Sequence, residues 1–228
     1  MASYAYLAER DVNKNIVTPV FGTLIAYLPD SIILGTALYA LLTLSFPLMF
    51  LFLFELEALF VQNLLGGAAR LAFPTLTVPQ TDPQCKPGYY NPMSRDRVTM
   101  LKLFGDGTSA FPSRPLFLIS SVFGYLMSSL VAFQDIIRNL DDDAQMRLTL
   151  AAVGGVTTLV LLYVYYMRAG CETFLNGMTT VLVGLALGAL GMILHKMFFG
   201  MEAINFLGLP TLVNKTEVGA PLYICASK

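Results

Sequence analysis

Residues 32–54 read IILGTALYALLTLSFPLMFLFLF, 23 residues without a charge. The hydrocarbon core of a bilayer is about 30 Å thick, and a helix rising ~1.5 Å per residue crosses it in about 20 apolar residues. A chain in that solvent must satisfy its backbone polar groups internally, which selects helices. This run therefore sets the class: an all-α, polytopic transmembrane bundle of about five or six helices.

Working outward, residues 1–15 are polar and lie outside the bilayer in this reading. Residues 16–28 are apolar but short, contain Pro19 and Gly22, and end at Pro29-Asp30-Ser31, which predicts an interfacial, re-entrant or broken helix. The first full span is 32–54, with a kink expected at Pro47. A second span is expected over 55–73, where Gly66-Gly67-Ala68-Ala69 allows close helix approach. A turn between these two leaves Glu55 and Glu57 at the interface, because 32–73 is too long for one crossing. A continuous helix would instead bury them and point to an ion path. Residues 74–114 hold six prolines and eight charged residues and form the main extramembrane loop, long enough to be a small ordered cap. Three further spans follow near 115–134, 149–167 and 177–198, and residues 199–228 form a mixed tail. The last span carries Gly184 and Gly188 four residues apart, a small-residue face for a neighbouring helix.

The whole chain, residues 1–228, reads as a single membrane domain. It is 56% hydrophobic and 13% charged, with net charge −1. Soluble domains carry about 25% charged residues, and nothing here offers the basic surface that nucleic acid requires. Cys85, Cys171 and Cys225 form no CxxC pair and no metal-ligand spacing, and the only histidine, His195, stands near the end of the last apolar run and reads as a polar anchor at the membrane interface. No metal and no cofactor are expected. A Cys85–Cys171 disulfide is conceivable because both fall on one side. The N-terminus lacks the basic and apolar regions of a cleavable signal peptide and the glycine of a myristoylation site.

Counting spans puts 74–114 and 168–176 on one side, and 135–148 and the tail on the other. The first side carries Lys86, Arg95, Arg97, Lys102, Arg114 and Arg168, a small positive excess that assigns it to the cytosol. The sequon Asn214-Lys215-Thr216 on the opposite side agrees and makes Asn214 a glycosylation candidate.

Three stretches now fall in a familiar order. EALFVQNLLGGAARLAFPTL (57–76) precedes the loop, Phe111-Pro112-Ser113-Arg114-Pro115 opens a helix, and RAGCETFLNGMTTVLVGLALGALG (168–191) opens the last one. In order and spacing this resembles the type 2 phosphatidic acid phosphatase superfamily. That family carries Lys, six residues, Arg-Pro; then Pro-Ser-Gly-His at a helix head; then Ser-Arg, five residues, His, three residues, Asp. Here Pro112 and Ser113 match, while Arg114 and Pro115 replace Gly and His. Cys171 stands where the nucleophilic His is expected, Arg168 precedes it by three residues rather than six, and no Asp follows. The first motif's Lys has no match at Gly66 or Gly67, and its Arg-Pro is nearest to Phe73-Pro74. The resemblance implies Ser113, Arg114, Arg168 and Cys171 as vestigial phosphate-site positions, with no catalytic residue retained.

The function expected is that of a non-catalytic membrane protein, a pseudoenzyme acting as scaffold or anchor. It contacts membrane lipids throughout and a protein partner through loop 74–114. Eroded bundles of this style resemble proteins of the internal membranes of large DNA viruses, which would place the chain in a virion membrane or a host endomembrane, tying it to a capsid shell. The alternatives are a lipid or polyprenyl phosphate phosphatase with an altered site, and a membrane subunit of an organellar complex or a transporter. An enzyme would need Cys171 activated by Arg168 and the helix start. A transporter would show inverted repeats with paired broken helices, and no internal repeat is read.

Overall fold

The computed structural model describes residues 18–72, 89–90, 97–98, 111–140, 142–168 and 172–206. Within them the chain is all-α: α1 (Thr18–Thr43), α2 (Phe46–Ala72), α3 (Arg114–Ala132), α4 (Gln134–Leu140), α5 (Asp142–Arg168) and α6 (Phe174–Phe199). A single 3-10 turn, Met201–Ile204, follows α6. The loop contributes one two-residue antiparallel pair, Tyr89–Tyr90 with Arg97–Val98. Among the described residues, four helices are long and apolar enough to cross a membrane, through Phe46–Ala69, Arg114–Ala132, Leu148–Arg168 and Phe174–Phe199.

The first two helices divide the chain differently from the sequence expectation. The break falls at Leu44–Ser45, ten residues before the expected turn at 54–55. Two local features explain it. Pro47 disfavours helical backbone at the residue before it and fits the first turn of a helix, where its missing N–H has no role. It therefore starts α2 rather than kinking a span. Leu44 adopts the left-handed conformation (φ 49°) that terminates helices, and the Met49 amide then bonds the Ser45 carbonyl at 3.1 Å. Nor is 16–28 a separate short element in its described part: α1 runs unbroken through Pro29. Proline costs one backbone bond there, and packing of Ile25, Leu28 and Ile32 on α3 and α5 residues holds the segment in place.

This division moves Glu55 and Glu57 from an interface to the middle of the apolar stretch of α2. The buried residues of that helix are Leu51, Phe54, Glu55, Ala58, Leu59, Gln62 and Gly66, lying along one face. Two polar residues, Glu55 and Gln62, thus lie in the buried stripe, one helical heptad apart.

The central element is α3, the most buried of the four long helices. One face, with Phe117, Leu118, Val122 and Tyr125, packs with Leu51, Phe54 and Leu59 of α2 and Met192 of α6. The other, with Leu116 and Ile119, packs on Leu159, Leu162 and Tyr166 of α5. The expected glycine face of α6 is present. A Cβ at Gly184 would lie 2.0 Å from Ser120 Oγ, and one at Gly188 would lie 2.1 Å from the Ser121 carbonyl oxygen. Gly124 answers from α3, where a Cβ would lie 2.5 Å from the Leu185 carbonyl oxygen. Backbone meets backbone here, as small-residue seams allow. Because 113 meets 180, 120 meets 184 and 121 meets 188, α3 and α6 run parallel. The helices α2 and α5 run the other way, so Ala72, Arg114, Arg168 and Phe174 share one end of the bundle, in agreement with the side assignment read from the spans.

Candidate functional site

The best-defined polar assembly lies at the loop end, where α2, α3 and α6 meet. Pro115 occupies the first turn of α3, and Ser113 caps it, its carbonyl accepting from the Phe117 amide at 2.8 Å. Arg114 is thereby aimed back at α2 and is only 7% exposed. Its Nε donates to Gln62 Oε1 at 3.1 Å, and its Nη2 donates to Asn63 Oδ1 at 2.8 Å. Gln62 uses its other end as well, donating from Nε2 to the Pro112 carbonyl at 3.0 Å. From α6, the Thr180 hydroxyl oxygen accepts from the Ser113 amide at 3.3 Å. One amide side chain therefore grips the Pro-Ser-Arg turn on both sides, and α6 holds it from a third direction. Buried polar groups are costly when left unmade and specify a unique packing when made.

The phosphate-site positions implied by the resemblance are only partly brought together. Ser113 and Arg114 sit in this junction. Arg168 is exposed in the last turn of α5 and makes no bond to the junction among the described residues. Cys171 lies outside the described residues, as do Cys85 and the sequon at Asn214. Between them, the Glu172 carboxylate accepts from the Asn176 side-chain amide in the first turn of α6. Two of the guanidinium's N–H donors are thus committed to the amide oxygens of α2. Among the described residues no group of three or more His, Cys, Asp or Glu side chains is arranged to hold a metal ion.

A second polar cluster lies toward the opposite end. His195, read from sequence as an interfacial anchor, is instead 4% exposed. Its Nδ1 lies 2.8 Å from the Tyr125 hydroxyl, and its Nε2 lies 3.5 Å from Glu57 Oε2. Phe50, Phe54 and Phe199 surround the imidazole edge to face. The cause is helical register: His195 follows Gly184, Gly188 and Gly191 on the face that meets α2 and α3, so it points inward although it stands near the end of α6.

Gln62, Asn63, Thr180 and Tyr125 were not among the residues singled out from the sequence. The signal available was their position: Gln62 is seven residues after Glu55 and on the buried face. Their partners, 52 and 70 residues away, are set by tertiary packing.

Fold and site together define a membrane-embedded helical protein whose polar side chains bond helix to helix. Set against protein-family models, curated proteins and solved structures, the chain matches none.

Proposed function

We propose that the chain is a non-catalytic integral membrane protein, a structural or anchoring component that offers loop 74–114 to a protein partner. The observation that supports this reading is the engagement of Arg114. Arg114, the basic residue beside the matching Pro112-Ser113 pair, is buried and bonded to Gln62 and Asn63, so it fastens α3 to α2. The finer reading, drawn from the resemblance, is an anchor between a virion's inner membrane and its capsid shell.

Two measurements test it. Purified protein in detergent is expected to release no phosphate from phosphatidic acid or a polyprenyl phosphate above background. Turnover abolished by Arg114→Ala or Cys171→Ala would establish the enzyme alternative instead. Crosslinkers on single cysteines placed in 74–114, in the native membrane, are expected to capture a defined protein neighbour. Capture of lipid alone would overturn the anchoring role.

A further inference from the structure

Glu55 is fully buried near the middle of the apolar stretch of α2. Its one partner among the described residues is Thr36 of α1, whose Oγ1 lies 2.6 Å from Oε2; the other carboxyl oxygen, Oε1, has no hydrogen-bond partner. Thr36 Oγ1 also lies 2.9 Å from the Ile32 carbonyl oxygen and 3.0 Å from that of Ile33. A hydroxyl has one hydrogen, and carbonyls and ionised carboxylates only accept. An ionised Glu55 would therefore leave either the carboxylate or the two carbonyls facing Thr36 Oγ1 without a proton between them. Protonation of Oε2 completes every short contact: the carboxylic acid donates to Thr36, and Thr36 donates back into its own helix.

Among the described residues the surroundings supply no alternative counter-charge. On α3, Arg114 is bonded to Gln62 and Asn63, and the Tyr125 hydroxyl meets His195. On α6, His195 faces Glu57, and Lys196 is exposed. On α1, Asp30 is itself a buried carboxyl, and on the 3-10 turn Glu202 is exposed. None of these groups bonds Glu55. An isolated carboxylate in such a setting neutralises rather than remain charged.

We propose that Glu55 is a proton-binding site at membrane depth, its carboxylic acid donating to Thr36 Oγ1 and so fastening α1 to α2. The bound ligand is one proton, and no bond other than O–H is made or broken.

Isotope-edited infrared spectroscopy of the full chain in detergent, with the glutamate side-chain carboxyls carbon-13 labelled, reads this directly. At pH 7 a protonated-carboxyl band belonging to glutamate is expected. It disappears in Glu55→Gln and remains in Glu57→Gln. In Thr36→Val, which removes the acceptor without touching the acid, it persists at higher frequency; this variant carries the test if Glu55→Gln fails to fold. Absence of the band from the unsubstituted protein at pH 7, its survival in Glu55→Gln, its loss in Glu57→Gln, or an unmoved band in Thr36→Val would each overturn the assignment.

Discussion

Substituting Gly188 by alanine adds one methyl group, and the α3–α6 seam has no room for it. The added Cβ would lie 2.1 Å from the Ser121 carbonyl oxygen and 2.6 Å from the Tyr125 amide nitrogen. Both are backbone atoms of α3, so no rotamer change relieves the contact. The helices must separate by about 1 Å, which loosens the packed contacts along the seam, and overpacking of this kind costs about 1–3 kcal/mol. Alanine recovers about 1 kcal/mol of helix propensity relative to glycine, so the net loss expected is up to about 2 kcal/mol, as much as a thirtyfold change in the unfolding constant. Gly154 in α5 is the internal control. A Cβ there meets nothing within 4 Å, so Gly154→Ala keeps only the propensity gain and is neutral or slightly stabilising. Unfolding in mixed micelles at increasing dodecyl sulfate, followed by circular dichroism, compares the two. Equal midpoints for Gly188→Ala and Gly154→Ala would refute the backbone-to-backbone seam.

Gln62→Leu keeps the bulk but strips partners from Arg114 Nε and from the Pro112 carbonyl; a loss of about 2–4 kcal/mol is expected in the same unfolding assay. An exposed, merely decorative glutamine would move the midpoint by no more than about 0.5 kcal/mol. At the α1–α2 turn, Leu44 holds a positive φ with its side chain largely exposed, so Leu44→Gly relieves backbone strain without losing packing. A gain of about 0.5–1 kcal/mol is expected, and a destabilised variant would show that the leucine side chain matters more than the turn.

The class of fold was legible because lipid imposes it: length and freedom from charge are enough to find the spans of α3, α5 and α6. The small-residue face at Gly184 and Gly188 was legible because spacing of four is a local property. The position of the first turn was not, because 32–54 is apolar on every side and carries no periodicity to mark an end. The decisive features, proline in a first turn and a left-handed leucine, are weak signals within such a run. The polar junction was half legible. Pro112-Ser113 announced the start of α3, yet the partners of Arg114 came from α2, and no local pattern joins residues 52 positions apart. His195 was misjudged for the same reason, since nearness to a helix end does not reveal which way a side chain faces.

The tightest seam in the bundle joins two helices that enter the bilayer in the same direction, with α5 returning between them. It cannot close as a hairpin while the chain is being inserted. The seam face of α3 lacks its mate until α6 has been synthesised about sixty residues later. Two hydroxyls on its seam face are prepared for that interval: Ser120 bonds the Phe117 carbonyl at 3.1 Å and Ser121 bonds that of Leu118 at 2.9 Å, both within their own helix. At these positions the open face of α3 therefore shows no unmet hydroxyl donor, and the glycines of α6 arrive at a surface whose hydroxyls are already bonded.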